Sequence, residues 1–273
     1  MTKSSKMTII LASCDAYKDV ADQYVYFLRE NWPDCPFSIL VATESCDYND
    51  SEIVAIKSGS KSTWTSRVIK AINACSTPYV LLTVDDLFMS EPVQTEDIDD
   101  ILNYMESVDV RYYRIPVIDP VRQKFGKIPE RRYTRQIYDN QVYSVSIGHA
   151  IWNRNELLKL MGDGTKSAWD LENDFSAVDQ NKEPSVKEGY VTDTRHLLHS
   201  VHMIKKGKYI PAGVKTMSKC GYEIDTSKRG LITFKERIRP KIYGLGSKLC
   251  PPRYRRKVKS FLSKLGLSFA TRN

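Results

Sequence analysis

The feature that most restricts the fold is a repeated pairing near the N-terminus: a short unbroken apolar run, a polar or acidic break, then a stretch of helical spacing. Thr8–Ala12, Phe37–Ala42 and Tyr79–Val84 are such runs, and their short continuous apolar character predicts strands buried on both faces. Ile53–Ile56 is a fourth candidate strand. Between them, Val20–Arg29 places Val20, Tyr24, Phe27 and Leu28 at helical spacing, and Trp64–Cys75 does the same with Trp64, Val68, Ile69, Ile72 and Cys75. The order strand, helix, strand, strand, helix, strand predicts an α/β fold with helices packed on a mainly parallel sheet.

The 273 residues suffice for one substantial core, and a content of 41% hydrophobic and 27% charged residues excludes a disordered chain. MTIILAS is too short for a signal-peptide core, and no window approaches the roughly 18 apolar residues of a membrane span. Cys14, Cys35, Cys46, Cys75, Cys220 and Cys250 are scattered without a CxxC, which argues against a disulfide framework or a zinc cage. A reduced, cytoplasmic setting is the expectation.

Ligands of open α/β sheets bind beyond the carboxyl ends of the strands. The candidates there are Ser13, Cys14 and Asp15 after the first strand, Thr43 and Glu44 after the second, and Asp85 with Asp86 after Tyr79–Val84. No GxGxxG or GxxxxGK[ST] follows any of these strands, so a dinucleotide site or a P-loop is disfavoured. Adjacent carboxylates repel unless a divalent cation neutralises them or water solvates them. Asp85 and Asp86 therefore read either as a site for Mg²⁺ or Mn²⁺ bridging a diphosphate, or as the start of a surface turn.

The stretch WTSRVIKAINACSTPYVLLTVDDLFMSEPV, residues 64–93, resembles the donor half of bacterial GT-A fold glycosyltransferases of surface-polysaccharide (O-antigen or capsule) assembly. In that family a W-S-x-R-like helix start, a strand, and an acidic pair followed by an aromatic recur. SIGHAIWNRNELLKLM, AWDLE and IKKGKYIP follow in the order of the family's acceptor half, so the resemblance spans about Thr8 to Pro211. It implies a GT-A-like catalytic unit over residues 1–225, with a nucleotide-sugar donor half near 8–110 and an acceptor half near 111–225. It also implies that Cys14, Asp15, Glu44, Arg67 and Asp85 serve the donor, that Asp86 with Asp85 holds Mn²⁺ or Mg²⁺, and that His149 and Trp152 lie on the acceptor side. A strict D-x-D is absent, because Val84 precedes the pair.

In the second half Arg111–Pro116 reads as a strand, Arg122–Arg135 as a basic exposed loop, Val142–Ile147 as a half-buried strand and Ala150–Met161 as a helix ended by Gly162–Gly164. Inverting glycosyl transfer needs one carboxylate to take the proton of the attacking hydroxyl. KSAWDLEND offers Asp170 or Glu172 for that role and Trp169 as an apolar face for a sugar. Two residues apart on a helix, the acids diverge, and Glu172 is preferred; an acid-rich helix start is the plainer alternative. His196, His199 and His202 recur at intervals of three, and in many GT-A enzymes a late histidine completes the metal shell, a role open here to His199 or His202. Lys206 and Lys208 are candidates to steady the diphosphate.

Charge is unevenly placed: from Lys228 onward 14 Lys and Arg face only Glu236, a net +13, while the other 27 bases and 32 acids net −5. Residues 226–273 thus read as a separate basic tail. After Pro251 and Pro252, Tyr254, Val258, Phe261, Leu262 and Leu265 share one helical arc, and Arg253, Arg255, Arg256, Lys257, Lys259 and Lys264 fill the rest. Such a helix suits an anionic membrane surface and a lipid-linked acceptor, such as a polyprenyl-diphosphate glycan, met at the inner face of the cell membrane. Nucleic acid is disfavoured as a partner, since no recognised binding motif or stacking strip accompanies the charge. A non-catalytic membrane-associated or nucleic-acid-binding protein is the competing reading.

Overall fold

The structure is a computed structural model that describes residues 4–48, 50, 52–117, 123–179, 181–234 and 236. The amphipathic stretch 253–265 and Cys250 lie outside the described residues.

In chain order the elements are β1 (Met7–Ala12), α1 (Lys18–Asn31), β2 (Ser38–Thr43), β3 (Ile53–Lys57), α2 (Trp64–Ala74), β4 (Tyr79–Val84), β5 (Leu87–Met89), α3 (Thr95–Ser107) and β6 (Tyr112–Arg114). There follow β7 (Phe125–Lys127), β8 (Thr134–Tyr138), β9 (Ala150–Asn153), α4 (Arg154–Met161), α5 (Ala168–Ser176), β10 (Val186–Asp193), β11 (Ser200–His202), β12 (Ile204–Lys205), β13 (Lys208–Tyr209) and α6 (Pro211–Lys219). Nine strands form one sheet in the order β3-β2-β1-β4-β9-β6-β10-β8-β7. β3, β2, β1 and β4 pair parallel, β9 enters antiparallel between β4 and β6, and β10 runs parallel to β6.

Why the apolar runs are unbroken is plain from the layers. Ile9 and Leu11 of β1, with Ile39, Val41 and Leu81, face a core shared with α1 and α3. Ile10 and Ala12, with Leu40, Ala42, Val80 and Leu82, face the opposite core shared with α2, α4 and α5. Each strand is covered on both sides, so both of its alternating faces must be apolar. The result is an α/β architecture: a mainly parallel sheet flanked by helices, its parallel strands β1 to β4 all ending at one edge.

Three expectations need correcting. Ala150–Met161 is not one helix: Ala150–Asn153 is the strand β9, and α4 starts only where the Asn153 side chain accepts from the backbone N–H groups of Asn155 and Glu156. The apolar AIW is held by β4 and β6 on either side, and that pairing overrides its helical spacing. Val142–Ile147 is a run of turns and bends rather than a strand. The basic stretch 122–135 is in part an antiparallel pair, with Phe125–Lys127 laid against Arg135–Ile137 at the sheet edge.

The first residues of the basic tail dock on the globule. Tyr209 N–H donates to Gly230 O at 3.0 Å and Ile232 N–H to Tyr209 O at 2.9 Å. Among the described residues no helix is long and apolar enough to cross a membrane.

Candidate active site

Asp85 and Asp86 form a turn that joins β4 to β5, and the two carboxylates go different ways. Asp85 is buried, and the Ser13 hydroxyl donates to its Oδ2 at 2.5 Å. Burial, opposed by that hydrogen bond and reinforced by the neighbouring charge of Asp86, pushes its carboxyl up to about 7. Asp86 turns outward, and its Oδ2 lies 2.9 Å from His202 Nε2. β11 brings the histidine there by pairing antiparallel with β5, His202 opposite Leu87, and Met203 N–H donates to Asp86 O at 2.8 Å. The Asp86 hydrogen bond raises the pKa of His202 against its partial burial.

Glu172 of α5 lies near enough to this pair for their charges to act on it. Burial first, then the charge of Asp86, raises its pKa, while His202 lowers it. It also lines a cavity of about 870 Å³ with Arg114, Tyr143 and His149. α5 is placed by α2: the Thr65 hydroxyl donates to Lys166 O at 2.9 Å and accepts from Lys166 N–H at 3.0 Å, and Thr63 donates to Gly164 O. The W-T-S-R helix start thus also anchors the loop that leads into α5 and Glu172.

The other candidates fall into place unevenly. Asp170 is engaged in the capping box of α5, accepting from the Ser167 N–H and hydroxyl at 3.0 and 2.6 Å, so the helix-start reading holds for it and the base role does not. Trp169 is 75% exposed. Trp152 is fully buried in the core, its ring centroid 4.2 Å from that of Tyr112, and has no surface to offer an acceptor.

His149, also buried, lies between Thr83 Oγ1 at 2.9 Å and Ser200 Oγ at 2.6 Å. Tyr24 donates to Thr83 Oγ1 and Ser200 donates to Leu198 O, so the chain of bonds fits a neutral imidazole protonated on Nε2. Burial lowers its pKa to about 3. With both nitrogens engaged, it offers no free ring nitrogen to the cavity that it helps to line.

Beyond the ends of β1 and β2, Asp15 organises the turn after β2. It accepts from Thr43 Oγ1 at 2.9 Å, from the N–H groups of Glu44, Ser45 and Cys46 at 3.2, 2.9 and 3.1 Å, and from the Ser45 hydroxyl. These bonds outweigh its desolvation and hold its carboxyl well below the ordinary range. Glu44 accepts from Asp15 N–H at 3.1 Å and pairs with Arg67 at 3.3 Å. Arg67 donates to Ser13 O and Ser62 O, both at 2.9 Å. These three residues brace the edge, and the Asp15 and Glu44 carboxylates are already committed to it. Cys14 is half-buried between them, its thiol pKa raised by burial and by Asp85.

His199 is turned away from Asp86: its Nδ1 lies 3.3 Å from Glu91, and its backbone sits at φ 30°. His202 is the histidine at the acidic pair. Lys206 occupies the β12–β13 turn, and Lys208 is paired with Glu236 at 2.7 Å; the lysine whose charge reaches His202 is Lys205.

Arg229, which the sequence offers only as part of a basic tail, folds back onto this edge. It donates to Asp19 at 2.8 and 2.5 Å and to Ala16 O at 2.5 Å, stacks 4.5 Å above Tyr17, and its charge opposes the rise in the Asp85 pKa.

No family model matches the sequence, and no curated protein matches it significantly. Among solved structures, residues 1–349 of S. aureus TarS are similar at 14% identity over 69% of this chain and 60% of that chain, with a TM-score of 0.40. The chain therefore spans less than two thirds of that fragment. TarS 1-349 in complex with UDP is similar at 10% identity over 66% and 59% of the two chains, also at 0.40. The 2-C-methyl-D-erythritol 4-phosphate cytidylyltransferase of Thermus thermophilus shares 12% identity over 80% of this chain and 100% of that chain, again at 0.40. None of these likenesses assigns an activity to the chain.

Proposed function

We propose that the protein is a glycosyltransferase that moves a sugar from a nucleotide-sugar donor to a bacterial, lipid-linked glycan, with inversion at the anomeric carbon. The observation that carries this reading is the contact of Asp86 with His202 at the carboxyl edge of the sheet, with Glu172 near enough for both charges to act on it and lining a cavity of about 870 Å³. Parallel sheets bind ligands at that edge, and transfer needs a base next to the place where the leaving diphosphate sits.

Glu172 is the base in this account. Its raised pKa makes it a better proton acceptor than an ordinary carboxylate, and the cavity it lines is where the acceptor hydroxyl arrives. Asp86 holds that pKa up by its charge, and His202 limits the rise. Asp85, buried behind the pair, fixes the end of β4 to Ser13 rather than meeting solvent.

Asp86 Oδ2 and His202 Nε2 would hold a divalent cation, and one carboxylate with one imidazole is a donor set that suits Mn²⁺ better than Mg²⁺. Among the described residues no three His, Cys, Asp or Glu side chains converge as a metal cage, which leaves most of the shell to diphosphate oxygens and water. When bound, such an ion supplies positive charge for the departing diphosphate. The basic, amphipathic sequence of residues 253–265 supports a seat on the anionic inner face of the membrane, where a polyprenyl-linked acceptor is met.

The test is turnover of a panel of nucleotide-sugars by the full chain and by Glu172→Gln. The reading expects one sugar nucleotide to be consumed by the wild type and turned over at least about 100-fold more slowly by the variant, with donor binding retained. Consumption of no donor by the wild type, or equal rates in the two proteins, would sink it.

A further inference from the structure

The cavity beside Glu172 contains a cation with no part in the chemistry described above. Arg114, the last residue of β6, lines it and is 6% exposed. Its three hydrogen bonds all go to neutral acceptors: Nε to Thr192 Oγ1 at 3.1 Å, Nη1 to Tyr143 O at 3.0 Å and Nη2 to Gln123 Oε1 at 3.0 Å. A guanidinium has five N–H donors, so donor capacity remains. Arg67, Arg131, Arg195 and Arg229 each pair with a carboxylate, whereas among the described residues Arg114 has none. A buried charge without a counter-ion is unfavourable, and burial accordingly lowers the pKa of Arg114. An anion entering the cavity relieves that penalty.

The surroundings narrow the class of anion. Tyr143 stands half-exposed in the cavity wall at φ 57°, a left-handed conformation uncommon for an aromatic residue. Its carbonyl accepts from Arg114 and, at 2.8 Å, from Gln123, which ties the strained residue to the buried cation. Its ring is an apolar platform of the kind sugars stack on. Lys124 adds a second cation at the rim, its backbone fixed by two bonds with Gln141 at 2.6 and 3.0 Å. Glu172 lines the same cavity.

We infer that the cavity takes a sugar that carries its own anionic group, a carboxylate or a phosphate, with Arg114 as its counter-ion, Tyr143 under the ring and a hydroxyl directed to Glu172. The inference rests on the transferase reading and narrows its acceptor to an anionic sugar.

Calorimetric titration of the full chain with glucuronate, glucose 6-phosphate and glucose at equal ionic strength tests it. At least one charged sugar binds more tightly than glucose by about tenfold or more, the scale of one charge-assisted contact. Which of the two prevails separates a carboxylate from a phosphate. Arg114→Gln removes the preference, Arg114→Lys keeps part of it, and Tyr143→Ala weakens the charged sugar should Arg114→Gln fail to fold. No preference by the wild type for either charged sugar overturns the inference, as does an undiminished preference in a folded Arg114→Gln. Nucleoside diphosphates titrated in parallel keep the two failures apart: nucleotide binding without the charged-sugar preference overturns the inference alone, and the preference without nucleotide binding overturns the transferase reading.

Discussion

Asp86 Oδ2 and His202 Nε2 lie 2.9 Å apart although 116 positions separate them in the chain. The contact joins the turn after β4 to the strand β11, so the acidic pair and the late histidine form one unit. Both side chains remain partly exposed, and the ion pair itself adds no more than about 1 kcal/mol to stability. The raised His202 pKa means that this contribution is present below about pH 6.5 and is lost as pH rises through the folded value. Asp86→Ala and His202→Ala are therefore expected to fold with melting temperatures near wild type while transfer falls by at least about 100-fold. Wild-type turnover in either variant would remove the pair from the mechanism.

Asp85 and His149 give opposite pH dependences in almost the same interval. Asp85 titrates at about 7 in the fold against 3.8 in the unfolded chain, so its favourable contribution is present below 3.8 and is lost as pH rises through 7. His149 titrates at about 3 in the fold against 6.5, so its contribution is present above 6.5 and is lost as pH falls towards 3. Relative to wild type in metal-free buffer, Asp85→Asn is expected to gain up to about 4 kcal/mol as pH rises across that range. His149→Gln is expected to gain up to about 5 kcal/mol as pH falls across it. Chemical denaturation from acidic to mildly alkaline pH checks both; parallel curves for wild type and a variant would contradict the ionisation assigned to that residue.

Thr65 links α2 to the segment that leads into α5 through two hydrogen bonds to Lys166. Thr65→Val keeps the shape and strands the Lys166 N–H and C=O, at a cost of about 1–3 kcal/mol. Because α5 then loses part of its anchor, the variant should lose kcat at temperatures where it is still fully folded. An unchanged kcat would show that Glu172 is held without this tie.

Truncation tests the proposed membrane helix separately from the proposed active site. Removal of residues 253–273 should abolish co-sedimentation with phosphatidylglycerol vesicles while leaving donor hydrolysis intact. Binding of the full chain should weaken with salt, and equal binding to neutral vesicles would contradict an electrostatic anchor.

What could be read in advance follows from where the physical signal is local. β1, β2 and β4 are legible because burial on both faces demands unbroken apolar runs, and the edge where Asp85 and Asp86 sit follows from that order. The divergence of Asp170 and Glu172 is likewise a local property of helical spacing. The strand β9 was not legible, since AIW continues the spacing of α4 and only its pairing with β4 and β6 marks it as a strand. The saturation of the Asp15 carboxylate, the choice of His202 over His199 and the return of Arg229 to Asp19 all depend on contacts between distant segments, which periodicity does not record.

The most direct test of the account is calorimetric titration of the full chain with UDP, GDP, CDP, ADP and dTDP, each with Mn²⁺ and with EDTA. The account predicts that at least one binds in the presence of Mn²⁺, and that Asp86→Ala weakens it by about tenfold or more, the loss of a carboxylate from a small donor set. Binding of none of them by the folded wild type, or binding that Asp86→Ala leaves unchanged, would contradict a nucleotide-sugar site at the end of β4.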